Sequence, residues 1–165
     1  MTDDCEGIEH GAPDSAMATA RRGPISHAMF RVARLHRMVA GNLLRAASLY
    51  PGQELVMMNL WDLGPQRQAD LVRLSVSDAA TMARTIERLE HAGFVRRTPN
   101  TADKRSFLIE ATPASRGLRA QVADIWSELE EITVGGLNEE ERLTVLRVLQ
   151  GLEERLSQVA FPPTP

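Results

Sequence analysis

Thr81, Arg84, Thr85 and Arg88 recur at spacings of three and four residues, which sets them along one face of a helix. Their chemistry suits the reading of base edges. An arginine makes a bidentate contact to guanine, and a threonine donates to a base edge or packs on a thymine methyl. Met82, Ile86 and Leu89 at i, i+4 and i+7 form a single apolar stripe on the other side. Burying that stripe turns Asp78, Thr81, Arg84, Thr85 and Arg88 outward, while the small Ala79 and Ala80 let the backbone come close to a partner. Ser77 is the expected N-cap, with Asp78 on the positive end of the helix dipole. Gly93 is the expected C′ residue that stops the helix before Phe94. Ser77, Asp78, Ala80, Thr81, Arg84, Thr85 and Arg88 are thus the candidate reading residues of this helix.

A shorter helix over 68–74 precedes it, joined by the turn Ser75-Val76-Ser77. Two helices joined this tightly must cross steeply, which leaves the second free to enter a major groove about 12 Å wide. Alternating segments over 94–98 and 106–110 then flank the turn-rich run from Pro99 to Arg105, predicting a hairpin. Its tip carries Asp103, Lys104 and Arg105, three more candidate DNA contacts. Thr112-Pro113 is the expected cap and opening of the next helix. The sequence therefore predicts a mainly α protein with a winged helix-turn-helix lobe over 51–112 and a small β-hairpin wing.

The flanking segments predict a helical dimerisation region built from the N- and C-terminal helices, 23–50 and 113–160. Ile25, Met29, Val32, Leu35, Val39, Leu43 and Ala46 make 25–49 a long amphipathic helix, with His27, Arg31, Arg34, Met38 and Arg45 on its other side. The segment 55–63 is apolar nearly all round and ends at Gly64-Pro65. After the wing, Leu118, Val122, Ile125, Leu129 and Ile132 share one stripe, and Gly135-Gly136 breaks it. Asn138 with Glu141 reads as a capping box for a final helix carrying Leu143, Leu146, Leu149, Leu152 and Leu156. Nothing in the winged lobe is large enough to cover these stripes, so a second copy of the chain is the simple solution. Residues 1–22 read as a flexible tail.

Composition narrows the function classes. With 165 residues and 43% hydrophobic content, the chain suits one compact domain or a reading lobe with a helical extension. No apolar run approaches ~18 residues and no leader pattern is present, so a soluble cytoplasmic protein without a membrane partner is expected. The net charge is −3, yet the run from Gln66 to Phe107 holds eight cations against five anions, and the run from Leu108 onward holds five against ten. A basic lobe on an acidic scaffold fits a site-specific binder that does not cling to all DNA. His10, His27, His36 and His91 form no metal-ligand spacing with each other or with the single Cys5, and no glycine-rich phosphate loop occurs. No enzyme, metal or cofactor is expected.

Leu71, Val76-Ser77, Thr81, Arg84, Arg88-Leu89-Glu90, Gly93-Phe94-Val95-Arg96-Arg97, Asp103-Lys104-Arg105 and 112–117 together resemble the MarR family of bacterial transcription regulators. The resemblance covers roughly 25–156. It departs where the family has a glycine and this chain has Ser75, and where the family has a threonine-like helix cap and this chain has Arg67. The resemblance implies an entwined homodimer; its two-fold symmetry would be matched by a pseudo-palindromic operator on double-stranded DNA, and a regulator is expected, a repressor before an activator. It also implies a small, often anionic aromatic effector bound between the dimer helices and the DNA lobe, for which His27, Arg31, Arg34, Met57 and Trp61 are the candidates. The alternative is a winged-helix protein-protein interaction module that never touches DNA. Such a module would expose aromatic residues or leucines on the reading face, where this chain has Thr81, Arg84, Thr85, Arg88, Lys104 and Arg105.

Overall fold

The computed structural model describes residues 22–103 and 106–161. The expected N-terminal tail up to residue 21, with Cys5 and His10, lies outside them, as do Lys104, Arg105 and 162–165. The described helices are α1 (Pro24–Leu44), α2 (Gln53–Leu63), α3 (Gln68–Leu74), α4 (Ala79–His91), α5 (Arg116–Val134) and α6 (Glu139–Ala160). Strands β1 (Gln66–Arg67), β2 (Val95–Pro99) and β3 (Phe107–Ala111) form an antiparallel sheet in the order β1-β3-β2. The chain divides into two compact units, 1–38 and 39–165. The first carries most of α1, and the second carries everything that follows.

In the second unit the core gathers one face from each of α2, α3, α4, β2, β3 and α5. Val56, Met57 and Leu60 of α2 meet Leu71 of α3, Met82, Ile86 and Leu89 of α4, Val95 and Ile109 of the sheet, and Leu118 and Val122 of α5. Ile86 and Leu89 are fully buried and Met82 nearly so, as the i, i+4, i+7 spacing requires. The stripe on α5 is covered at Leu118, Val122 and Leu129, while Ile132 stays exposed. None of the 22 residues of α6 is buried.

Several boundaries differ from those expected. The first helix ends at Leu44, with a 3-10 turn over Arg45–Ala47, because Ser48 takes a left-handed φ of 56° and Leu49 folds back under the turn to donate to the Leu44 carbonyl at 3.0 Å. Leu49 is thereby buried. Strand β2 begins at Val95 and not at Phe94, because the Phe94 N–H completes the end of α4 by donating to the Leu89 carbonyl at 2.9 Å. The Gly93 N–H donates to Glu90 at 2.9 Å with Gly93 at φ 78°, which closes a Schellman motif on the expected glycine. Thr112 does not cap the next helix with its side chain: its hydroxyl donates to the Gly93 carbonyl at 2.6 Å, and Pro113–Ser115 form a 3-10 turn before α5. The capping box of α6 forms as expected, with Glu141 N–H donating to Asn138 Oδ1 at 3.0 Å and Asn138 N–H to Glu141 Oε2 at 2.9 Å.

The turn between α3 and α4 is closed by the same motif without a glycine. The Ser77 N–H donates to the Val72 carbonyl at 3.0 Å and the Val76 N–H to Arg73 at 3.2 Å. Val76 occupies the C′ position at φ 46°, a region that costs an L-residue roughly 1–2 kcal/mol. The missing glycine is thus felt at Val76 and not at Ser75, whose φ of −94° suits any residue. Strand β1 explains the other departure: Arg67 pairs with Leu108 across the sheet, so backbone pairing sets the start of α3 where a side-chain cap is absent.

Because Val76 is largely exposed, replacing it loses little packing. Val76→Gly should relieve the left-handed strain against a smaller unfolded-chain entropy cost and stabilise the protein by about 1 kcal/mol. Thermal melts of the two proteins check this, with a higher midpoint expected for the variant.

Candidate nucleic-acid interface

The N-terminus of α4 is organised by Asp78 and not by Ser77. Asp78 has extended backbone angles (φ −91°, ψ 158°), its Oδ1 accepts the Thr81 N–H at 2.8 Å, and its Oδ2 accepts the Thr81 hydroxyl at 2.7 Å. The Ser77 hydroxyl turns instead to the Asp78 carbonyl at 3.4 Å. A carboxylate one residue later than expected wins because it satisfies two donors of the first turn and stands at the positive end of the dipole. Those hydrogen bonds, first the hydroxyl and then the N–H of Thr81, hold the Asp78 carboxyl below its ordinary value of 3.8.

The exposed face of α4 then follows from the buried stripe. Asp78, Ala80, Thr81, Arg84 and Arg88 are exposed, Ser77 and Thr85 partly so. The Thr85 hydroxyl donates back to the Thr81 carbonyl at 2.9 Å. Both threonine donors are therefore occupied within the helix, which leaves their methyl groups and oxygen lone pairs to face a partner. Arg84 makes one long contact, 3.4 Å from Nη2 to the Thr81 hydroxyl oxygen, and Arg88 sets its guanidinium 5.6 Å from the centre of the Tyr50 ring.

Ion pairing sorts the basic residues of the lobe. Arg73 pairs with Asp70, Arg96 with Glu110 at 3.0 Å and Arg97 with Glu90 at 3.2 Å. Among the described cations of the lobe, Arg67, Arg84 and Arg88 have no carboxylate partner. Two of these three stand on the exposed side of α4. The periodicity of α4 identifies those two; Arg67 lies in a two-residue strand, which has no pattern to read.

At the wing, Asn100 is the organiser that the turn composition did not single out. It is buried, its Nδ2 donates to the Ser106 hydroxyl at 3.0 Å, and its Oδ1 accepts the Ala102 N–H at 3.0 Å. The Asp103 carbonyl accepts the Ser106 N–H at 3.0 Å, so Asp103 helps close the tip through its backbone. An asparagine after proline in a turn-rich segment is the signal that marks it. Lys104 and Arg105 follow directly on this framework in sequence.

The effector candidates fall in different settings. His27 is half-buried, and Arg31 and Arg34 are exposed, all on α1 in the first unit. Met57 lies in the core of the second unit, and Trp61 donates its indole N–H to the Ser115 hydroxyl at 3.0 Å. No cluster of three metal-ligating side chains occurs among the described residues, and no described helix is long and apolar enough to cross a membrane.

Two helices joined by a closed turn, a hairpin beside the second and an unpaired arginine face on it define a winged helix-turn-helix protein. The MarR family model matches residues 49–107. The HTH-type transcriptional repressor NicR of Pseudomonas putida is 30% identical over 98 residues, a segment spanning 59% of this chain and 62% of NicR. The transcriptional regulator HosA of Escherichia coli is 30% identical over 98 residues, 59% of this chain and 73% of HosA. Among solved structures, Bordetella bronchiseptica BpsR, whose DNA binding is regulated by 6-hydroxynicotinic acid, superposes with a TM-score of 0.73 at 26% identity, over 78% of this chain and 92% of that one. A mutant of E. coli MarR complexed with operator DNA shares the fold, with a TM-score of 0.76 at 19% identity over 83% of this chain and 99% of that one. The chain belongs to the MarR family of transcriptional regulators.

Asp78→Ala should fray the first turn of α4 and lower the melting temperature, while Asp78→Asn, which keeps an N-cap acceptor, should retain most of the stability. The folded carboxyl titrates below its unfolded value, so the advantage over Asp78→Ala is present at neutral pH. It is lost only as pH falls below about 3.8, through the depressed folded value. Paired melts of wild type and Asp78→Ala across that range check the sign.

Proposed function

We propose that the protein is a homodimeric, sequence-specific DNA-binding repressor of transcription that acts in the cytoplasm by binding alone. The observation that supports this most directly is the exposed face of α4, where Arg84 and Arg88 have no carboxylate partner while neighbouring arginines of the lobe are paired. On α4 itself that face carries no exposed leucine or aromatic residue among the described residues, and the one exposed ring beside it, Tyr50, stands against the Arg88 guanidinium. Thr81 and Thr85 offer methyl groups suited to thymine, and Arg84 is the side chain best placed to take guanine. Lys104 and Arg105 at the wing are assigned to the adjacent minor groove or phosphates, with Ser77, Asp78 and Ala80 at the approach of the helix to the groove and Asp103 at the wing tip.

Dimerisation is supported by α6. Leu143, Leu146, Leu149 and Leu156 are each at least half exposed, a leucine stripe that one chain leaves uncovered. A second copy supplies an identical stripe, and the resulting two-fold symmetry demands a pseudo-palindrome with half-site centres ~10 to 11 bp apart. Selection of bound sites from a random duplex library should return such a sequence. Arg84→Ala should then cost about 1–3 kcal/mol per half-site and relax one base pair of it. Sedimentation of the full chain should give a dimer, and Leu146→Glu with Leu149→Glu should give a monomer that has lost tight binding. A tight-binding monomer would refute the arrangement.

BpsR supports a ligand-controlled reading, since its DNA binding is regulated by a small hydroxylated aromatic acid. We propose an effector of that class here, with Arg31 and Arg34 of α1 as its anion-holding groups. Arg31→Ala should leave effector-free DNA affinity unchanged and weaken release by aromatic carboxylates in a mobility-shift titration.

A further inference from the structure

The segment before α2 is built more firmly than a connecting loop requires. Leu49 is buried and anchors its start, and Pro51 biases Tyr50 to an extended backbone. The side chain of Gln53, itself buried, turns back so that its Oε1 accepts the Tyr50 N–H at 2.9 Å, while its own N–H donates to the Tyr50 carbonyl at 3.0 Å. The Gly52 N–H donates to Glu54 Oε2 at 2.7 Å. From below, Pro51 rests on Gly41, where an added Cβ would stand only 3.1 Å from the proline ring. Both backbone groups of Tyr50 are therefore fixed, yet the residue is 64% exposed and lies outside the buried core.

What the ring faces is the guanidinium of Arg88, 5.6 Å from its centre. A long arginine side chain on a helix surface carries substantial rotamer freedom that must be lost when it binds. An aromatic face attracts the cation and restricts it before any partner arrives. We propose that Tyr50 is a positioning residue for DNA recognition: a fixed aromatic platform that holds Arg88 of α4 ready for the nucleic acid. The proposal rests on the DNA-binding reading above and assigns the reason for the rigid 49–54 segment. Arg84, with one long contact to Thr81, is left to find its base by itself, so the two arginines of the face are held differently.

The test uses the full chain and the selected operator duplex, with affinity measured by fluorescence anisotropy at several salt concentrations, alongside an unrelated duplex. Tyr50→Ala should weaken operator binding about two- to fivefold for each Arg88 engaged, as loss of an exposed cation-aromatic contact implies. Tyr50→Phe keeps the ring and should bind like wild type. In an Arg88→Ala background Tyr50→Ala should have no further effect. That coupling to Arg88 is the readout that a general structural role would not move, since a structural loss would add to the effect of Arg88→Ala; the salt slope of Tyr50→Ala should equal that of wild type because the cation remains. Wild-type affinity in Tyr50→Ala, full additivity with Arg88→Ala, or equal loss in Tyr50→Phe would each overturn the inference while leaving the DNA-binding reading in place. A wild-type protein that binds no duplex would overturn both.

Discussion

The rotation of α4 about its own axis is the constraint on which the rest depends. Met82, Ile86 and Leu89 are held in the core by partners from α2, α3, α5 and the sheet, so the helix has one setting in which its apolar atoms leave water. Truncating any of the three to alanine would cost about 2–5 kcal/mol, far more than any exposed contact on the other side of the helix supplies. The direction of Arg84 and Arg88 is therefore fixed by residues buried on the opposite side of the helix. The Schellman motif at Gly93 extends the same constraint, because Phe94 finishes α4 and Val95 must begin β2 from that point.

Charge arrangement adds selectivity to that geometry. Exposed ion pairs such as Arg96 with Glu110 and Arg97 with Glu90 contribute only about 0–1 kcal/mol each to stability. Their larger consequence is distributional: among the described residues, they neutralise Arg96 and Arg97 on β2 and leave Arg84 and Arg88 on α4, and Arg67 at the start of α3, without a carboxylate partner. A polyanion approaching the lobe would meet unpaired cations on the exposed face of α4. The net charge of −3 over the whole chain opposes indiscriminate attachment to DNA.

Much of this was legible in the sequence because period and punctuation agree. The i, i+4, i+7 stripe of α4, Gly93, the break at Gly135-Gly136 and the Asn138–Glu141 box all state their structure locally, and each formed where expected. The readings that shifted depended on competition between neighbours. Asp78 outbid Ser77 for the cap because it satisfies two donors of Thr81, and Thr112 left its expected cap for the Gly93 carbonyl, a partner nineteen residues away. Strand β1 was invisible, since two residues carry no alternation and their pairing comes from β3. Val76 shows the opposite limit: a β-branched residue gives no local sign of a left-handed turn, and only the closure of α3 onto α4 puts it there. Tyr50 carries no local signal for a similar reason, because its contact to Arg88 joins positions that no sequence period relates.

In the proposed complex the exposed face of α4 lies in a major groove with Arg84 against guanine. Protection of guanine N7 from methylation tests it most directly, because that atom lies in the major groove and is a hydrogen-bond acceptor for arginine. On the selected operator the bound protein should protect guanines in two successive major grooves about one helical turn apart. A saturated complex that leaves every guanine N7 as reactive as in free DNA would contradict it.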